Sequence, residues 1–369
     1  MEYLLKCTKC GRVEDEGRFR CGVCKSILEV SYIYPKKLKF GNAGGKGISK
    51  YANLLPVAGK LFSLGEGGSE LRKSRHAPRR CNLLLKIETE NPTHTFKDRG
   101  SAVEVTKAKE LGYGHVCCAS TGNMGYSLAH YARKAGLKAT IFISSAGNKK
   151  KIAKIIGEKA ALVKVKGDFN ASLRAAEAFG RRGDVLICGD YHYRKEGQKT
   201  VGFEILEQLK FKVPDFIFIP IGNGTLFSGI YKGLAELKMC GKIRSMPRLI
   251  AVQSAMCDPL VKAFKYGKKV QYVAPKTEAD AIAVGFPTFG FECLKALKET
   301  KGRAIGVSES ELESAISYLG RQGVYAELGG AAAMAGFMHE SKRRPKAFYG
   351  KTAVVVVSGN NEGRAKPGK

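Results

Sequence analysis

Residues 81–120 read "CNLLLKIETENPTHTFKDRGSAVEVTKAKELGYGHVCCAS". An apolar segment gives way to a polar loop, then a stretch of mixed charge and small apolar residues, then a second apolar segment. That order predicts strand, loop, helix, strand, the unit from which parallel sheets are built. Inside the loop, "NPTHTFKDRG" (91–100) sets Lys97 between Phe96 and an Asp-Arg-Gly turn. An ordinary surface lysine belongs to a charged helix face. This one lies in a loop between strand and helix, where binding chemistry collects.

The alternation continues in both directions of the argument. "HVCCAS" leads to "GYSLAHYARKAG", "KATIFIS" to "NKKKIAKIIGEKA", and "ALVKVKG" to "NASLRAAEAFGRRG". Further on, "DFIFIPIG" precedes "TLFSGIYKGLAELK", "RLIAVQSA" precedes "DPLVKAFKYG", and "TAVVVVSG" closes the series. A strand roughly every 25 residues, with helices between, is the signature of an α/β protein with largely parallel sheet. "FIFIPI" and "AVVVV" are unbroken apolar runs, as strands covered on both faces require. No internal repeat or low-complexity tract interrupts the pattern, and "EGRAKPGK" reads as a frayed basic tail.

In such folds ligands sit beyond the carboxyl ends of the strands. Four loops stand out there: "NPTHTFKDRG", "ASTGNMGYS", "PIGNGTLFSG" and "VVSGNNEG". Gly222 and Gly224 stand at a strand-to-helix turn, where backbone N–H groups and the positive helix end converge on a phosphate. A plain tight turn reads equally well from that segment alone. It has neither the GxGxxG spacing nor the GK[ST] of a phosphate loop, so dinucleotide and nucleoside triphosphate readings both fall. "STGN" (120–123) opens a helix, with Ser120 or Thr121 as its N-cap or with the same N–H groups holding a carboxylate. A lysine amine facing a phosphate cradle points to a Schiff base with an aldehyde cofactor that carries a phosphate, and pyridoxal 5'-phosphate fits.

The chain has 369 residues, 44% hydrophobic and 26% charged, which suits a globular protein of two or three domains. No run of about 18 apolar residues predicts a spanning helix. The start, "MEYLLKCTKCGR", does not read as a secretion signal, so a cytoplasmic protein is expected. Lys and Arg number 63 against 33 acids, a net charge of +30. That charge suits an anionic partner, either nucleic acid or phosphorylated metabolites, or else a basic solvated surface. Its spread along the chain, with local clusters such as "GNKKKIAK" and "SKRRPKAFYGK", favours the solvated surface.

Cys7, Cys10, Cys21 and Cys24 form two CxxC pairs, each beside a glycine. Four thiolates from two tight turns match tetrahedral zinc, and a ribbon of about 30 residues needs a metal to offset its small core. All four ligands are protein sulfurs, so the expected zinc is structural, with no open position for catalysis. A disulfide pair or a metal-free ribbon are the other readings. Cys81, Cys117, Cys118, Cys188, Cys240, Cys257 and Cys293 are scattered and read as buried small hydrophobes. No aromatic stacking pattern accompanies the ribbon, so no nucleic-acid partner is expected of it.

With these segments in view, the sequence resembles the fold-type-II pyridoxal-phosphate enzymes, and within them the threonine synthases. The likeness runs from about residue 60 to 360. "SLGEGGSEL" is similar to the family's LGEGxTPL, and "ENPTHTFKDRG" to its ENPTGSFKDRG, which carries the Schiff-base lysine, here Lys97 beside Phe96. "ASTGNMGYS" resembles the ASTGN loop, which implies that Asn123 faces the cofactor's 3-hydroxyl while Ser120, Thr121 and Gly122 bind the substrate carboxylate. "YRKEGQKT" resembles YRLEGQKT, implying Arg194 for the substrate's phosphate. "PIGNGTLFSGIYKG" resembles the family's phosphate cradle, here Gly222, Asn223, Gly224, Thr225 and Leu226. "SGNN" stands where the family has TGHG, which implies that Ser358 pairs with the pyridine nitrogen. A neutral hydroxyl there holds no proton on the ring, which suits elimination and replacement better than transamination.

The resemblance implies two open, mostly parallel α/β domains with a small N-terminal zinc ribbon. Residues 1–30 would be the zinc-ribbon-like segment, 31–100 and 201–369 the large cofactor-binding domain, and 101–200 a smaller mobile α/β domain. It implies a homodimer, no membrane partner, and a small phosphorylated amino-acid substrate. The implied reaction releases phosphate from O-phosphohomoserine and adds water to give threonine. Departures gather on the substrate side. Ser69-Glu70-Leu71 replaces TPL, "ELGGAA" keeps Glu327 of EPASAA, and "SGNNEGR" replaces GHGLKD. His94 stands for a glycine, and with Glu327 it is a candidate on the substrate side. One alternative keeps the cofactor and takes O-phosphoserine or a related amino acid, by β-replacement in the manner of a cysteate or cysteine synthase, or by dehydration. The alternative from another class is a basic zinc-ribbon protein that binds nucleic acid, to which "TFKDRG" and "GNG" contribute nothing.

Overall fold

The computed structural model describes residues 1–34, 40–41, 43–77, 80–120, 122–144, 149–167 and 169–360. In chain order the first elements are β1 (Tyr3–Cys7), β2 (Val13–Glu14), β3 (Leu28–Tyr32), β4 (Leu71–Lys73) and β5 (Cys81–Ile87). Helix and strand then alternate: α1 (Lys97–Glu110), β6 (His115–Ala119), α2 (Asn123–Lys134), β7 (Lys138–Ser144), α3 (Lys149–Gly157), β8 (Ala161–Val165), α4 (Phe169–Gly180) and β9 (Leu186–Ile187). Next come α5 (His192–Gln208), β10 (Phe216–Pro220), α6 (Thr225–Met239), β11 (Arg248–Ser254) and α7 (Pro259–Tyr266). The chain closes with α8 (Gly290–Glu299), β12 (Arg303–Val307), α9 (Glu309–Gly320), α10 (Leu328–Arg343) and β13 (Lys351–Val357).

These elements form two units, Met1–Gly68 with Lys97–Thr200, and Ser69–Phe96 with Val201–Lys369. The divisions fall between Gly68 and Ser69, between Phe96 and Lys97, and between Thr200 and Val201 within α5. The expectation from sequence gave residues 31–68 to the larger unit. The contacts group them with α1 and α2, because Ile48, Leu55, Val57 and Leu61 share one apolar cluster with Val103 and Leu128.

In the first unit, β8-β7-β6-β9 make a parallel four-stranded sheet. Its inner strands β6 and β7 are largely apolar and buried because both faces are covered, while β8 at the edge is largely exposed. Val116 and Cys118 of β6 join the cluster of α1 and α2, while Cys117 and Ala119 join Phe142 and Ala176 of α4. The antiparallel sheet β2-β1-β3 adds Leu5, Cys7, Leu28 and Val30 to the α1–α2 cluster. The N-terminal segment thereby shares its core with the unit, which a ribbon this small needs.

In the second unit the order is β12-β11-β10-β13-β5-β4, parallel throughout except for the antiparallel pair β4–β5. Phe216 and Phe218 of β10 and Val355 of β13 pack against Phe337 of α10 and Phe348 in one cluster. The strand–helix alternation read from sequence skipped α8, β12, α9 and α10. In α10, "LGGAAAMAGF" is buried all round, so no 3.6-residue periodicity marks it. Among the described residues no helix is long and apolar enough to cross a membrane.

Lys86, the last residue but one of β5, is fully buried and donates to Ser69 O at 2.7 Å, Glu204 Oε2 at 2.7 Å and Gln208 Oε1 at 3.1 Å. Breaking one side of such a pair leaves a charge in the interior. Glu204→Ala is therefore expected to cost about 3–5 kcal/mol in urea unfolding. Replacing both partners by Met and Leu is expected to cost much less, and an equal loss would mean that the pair itself is not the source.

Candidate active site

The first unit carries one group of the residues singled out in the sequence. Lys97 opens α1, so its side chain leaves from the first turn of a helix whose next residues, Asp98, Arg99, Gly100 and Ser101, are all buried. Asp98 Oδ1 accepts from Ser127 Oγ at 2.6 Å, and Arg99 Nη1 donates to Thr200 Oγ1 at 3.0 Å. Arg194 sits in the first turn of α5 and is fully buried. It donates to Lys97 O at 2.9 Å, to Ser101 Oγ at 3.1 Å and to the Glu104 carboxylate. Glu104 also accepts the Gly189 N–H at 2.7 Å. Burial pushes the Glu104 carboxyl up to about 7, against the pull of Arg194 and that N–H. Glu104 carried no signal in the sequence, where it reads as one more helix-surface acid.

The "STGN" turn follows β6. Ser120 donates its N–H to Phe142 O at 3.0 Å, and its Oγ accepts from Gly122 N at 3.2 Å. Gly122, with no side chain to cap the helix, is the N-cap of α2 in place of the expected hydroxyl residue, and Asn123 follows, buried. Thr121 lies outside the described residues. A Cβ on Gly125 would come within 2.8 Å of Ser120 O, so the helix presses its first turn onto this loop. Lys151 of α3, fully buried, passes with its Cδ 3.8 Å from where a Gly122 Cβ would be. From sequence it was only one member of a basic cluster.

The second unit carries the other group. At the β10–α6 turn, Gly224 has φ +85° and is the N-cap of α6. A Cβ there would meet Cys293 Sγ at 2.7 Å, so both space and backbone require glycine. Asn223 Oδ1 accepts from Thr288 N at 3.3 Å and Thr288 Oγ1 at 3.2 Å, and Asn223 O accepts from Phe289 N at 2.9 Å. The segment before α8 thus braces the turn, a contact the motif alone did not reveal. Thr225 and Leu226 open α6, both buried.

At the end of β13, Ser358 O accepts from Phe96 N at 3.1 Å and from Thr95 Oγ1 at 3.3 Å. Asn360 N donates to His94 O at 2.9 Å, so the lysine loop runs beside 358–360, with Thr95 and Gly359 forming an isolated antiparallel bridge. On the other side Glu327, the N-cap of α10, donates its N–H to Gly359 O at 3.1 Å. Ser358, Phe96, His94 and Glu327 are therefore assembled by backbone pairing. His94 itself is exposed with φ +60°, and its Nδ1 lies 3.2 Å from Thr89 O. The left-handed backbone accounts for glycine at the matching place in the family's motif.

The four N-terminal cysteines converge. Their Sγ atoms all lie within 4.8 Å of one another, with 3.3 Å for Cys7–Cys24, 3.6 Å for Cys10–Cys21 and 3.7 Å for Cys10–Cys24. The Lys9 and Cys10 N–H groups each point at Cys7 Sγ at 3.4 Å.

Residues 62–359 match the family described as pyridoxal-phosphate dependent enzyme. A threonine synthase of Methanosarcina acetivorans is 37% identical over 90% of this chain and 86% of its own. One from Methanocaldococcus jannaschii is 34% identical over the same shares. Among solved structures, a threonine deaminase of Solanum lycopersicum superposes with TM-score 0.69 at 21% identity, covering 81% of this chain and 85% of that one. Maize serine racemase gives TM-score 0.69 at 20% identity, covering 79% and 88%. These two share the fold. With the family's match spanning most of its length, and with relatives above 30% identity, the chain belongs to the pyridoxal-phosphate dependent enzymes.

Proposed function

We propose that this enzyme releases phosphate from O-phosphohomoserine and adds water to give threonine. The observation that carries the reading is the pairing of the lysine loop with the end of β13. Phe96, the residue before Lys97 in the chain, donates its N–H to Ser358 O at 3.1 Å, and that contact supports the reading. The relatives named threonine synthase support the substrate.

The residues fit the cofactor. The Gly222–Leu226 turn is a cradle with no room for a Cβ at Gly224, and it opens a helix of 15 residues. The N–H groups of a helix's first turn have no intrahelical acceptor, so they and the helix dipole would hold the phosphate. Lys97 would be the attachment point, Asn123 would serve the ring hydroxyl, and Ser358 would serve the ring nitrogen. When bound, pyridoxal phosphate supplies an electron sink for negative charge at the substrate's α-carbon. Lys97 Nζ would take the α-proton and return protons as the phosphate leaves and water adds. Ser120, Gly122 and the N-terminus of α2 hold the substrate carboxylate, which orients the α-proton toward Lys97. His94 and Glu327 are the candidates for substrate contact beside the lysine loop.

The thiols at Cys7, Cys10, Cys21 and Cys24 fit zinc. Tetrahedral bonds of about 2.3 Å set sulfurs about 3.8 Å apart, whereas a disulfide needs about 2.05 Å. The observed separations of 3.3–3.7 Å lie near the first value.

Lys97→Ala is expected to lower phosphate release by about 10³-fold and to leave no cofactor covalently trapped by borohydride. Trapping on a different lysine would overturn the assignment. Release from O-phosphoserine faster than from O-phosphohomoserine would replace the substrate and keep the cofactor. Metal analysis of the purified protein is expected to give one zinc per chain, and chelation is expected to lower the melting temperature. Retention of full stability without metal would remove zinc from the fold.

A further inference from the structure

In the second unit, the last turn of α10 meets the edge of the six-stranded sheet. β12 is the outermost strand there, so one row of its backbone groups has no neighbouring strand. Residues 303–306 of β12 and the end of α10 enclose a surface pocket of about 400 Å³. Arg303, His339, Glu340, Arg343 and Arg344 line it. A volume of this size falls in the range of small-molecule sites.

The charges around this pocket do not cancel. Glu340 is its only acid, and it is buried. Its Oε2 takes the Arg344 guanidinium and faces Arg303 Nε at 3.9 Å, beyond hydrogen-bond distance. Arg343 is exposed and pairs with no acid among the described residues. His339 Nδ1 lies 2.7 Å from Glu311 Oε1, and Glu311 is already occupied by the Ser308 N–H at 2.8 Å. Burial, and then the charges of Arg303 and of Arg248 in β11, hold the Arg344 guanidinium below its usual range. Four guanidiniums thus gather about one carboxylate.

Two simpler accounts cover part of this. Basic residues in a last helical turn offset the helix dipole, which explains Lys342 and Arg343. It does not explain Arg303 and Arg248, the first residues of β12 and β11. A basic solvated surface spreads its charges into water, apart from one another. Here like charges from three elements are brought together beside a concave surface. They repel one another, and a bound anion would relieve that repulsion. The pocket also stands at the amino ends of parallel strands, opposite the carboxyl end of β13 where Ser358 lies. It is therefore separate from the cofactor turns.

We propose that this pocket is a second anion site, which binds a phosphate group, either as inorganic phosphate or as a small phosphate monoester. Guanidinium groups recognise phosphate through paired N–H donors. Arg303 and Arg343 supply those donors, and Arg344, tied to Glu340, adds charge. The site does not depend on the substrate proposed above.

Inorganic phosphate is titrated into the holoenzyme by calorimetry at about 0.15 M salt, where diffuse surface attraction is screened. Arg303→Ala with Arg343→Ala is compared with Lys342→Ala with Lys346→Ala. The second pair removes the same charge from exposed residues that do not line the pocket. The catalytic site also handles phosphate, so the difference between variants is what is read. The arginine pair is expected to lose one bound phosphate per chain, or to bind it about tenfold or more weakly, with turnover unchanged at low phosphate. The lysine pair is expected to stay within about twofold of the wild type. Arg343→Gln alone serves if the arginine pair fails to fold. Glycerol 3-phosphate in the same titration separates the two sources, the tighter binder being the class the pocket takes. Equal weakening in both pairs would mean diffuse attraction to a basic surface and overturn the proposal. Unchanged phosphate binding in the folded arginine variants would overturn it as well.

Discussion

The close approach of α1 and α5 constrains much else in the first unit. Two helices can touch at their backbones only where Cβ atoms are absent, and Gly100 and Gly197 supply that absence. Once the axes are this near, long side chains between them have nowhere to go but along the seam. Arg99 and Arg194 lie there, the first tied to Thr200 and the second to Glu104 and the Lys97 carbonyl. The charges are buried because the glycines bring the helices together, and they are tolerated because each finds a partner within one turn. Lys97 inherits a fixed starting point through its carbonyl, which accepts from Arg194.

The N-terminal sheet β2-β1-β3 takes part in the same construction. Tyr32 of β3 donates to Glu196 Oε2 at 2.6 Å, Glu196 pairs with Lys199 at 2.7 Å, and Lys199 lies 4.2 Å from the centre of the Tyr32 ring. Glu29 pairs with Lys195, and Tyr193 donates to Glu16 O at 2.9 Å. One side of α5 thus carries Arg194 toward α1, and neighbouring positions of the same helix are held by β3 and the cysteine turns. A segment that looked from sequence like a separate module is joined to this unit by both its core and its charges.

What could be read in advance follows from this physics. Strands β6, β7, β10, β11 and β13 stood out because a strand covered on both faces carries an apolar run through most of its length. The cysteine pairs and the glycines of the β10–α6 turn were legible because their spacing is itself the chemistry. The α-helix α5 was not legible as a buried element, since "HYRKEGQKT" looks like a solvated face and is interior only because each charge is matched. α10 hid for the opposite reason, with small apolar residues on every side. Within the site, the lysine loop and the two glycine turns came from motifs. Glu104, Thr288 and the bracing by Phe289 did not, because each depends on a partner distant in sequence.

The interior charges of α5 also separate two responses to ionic strength. The chain's charge of +30 lies largely on groups that water and counterions reach, and their mutual repulsion weakens over a Debye length of about 8 Å at physiological salt. The pairs Glu196–Lys199 and Glu104–Arg194 have no such counterions beside them, being closed off from solvent. Added salt therefore acts on the protein's solubility and on its encounters with anions, and leaves the frame around Lys97 as it was. A chain so basic can shift its colloidal behaviour with its medium while the geometry that serves its chemistry stays constant.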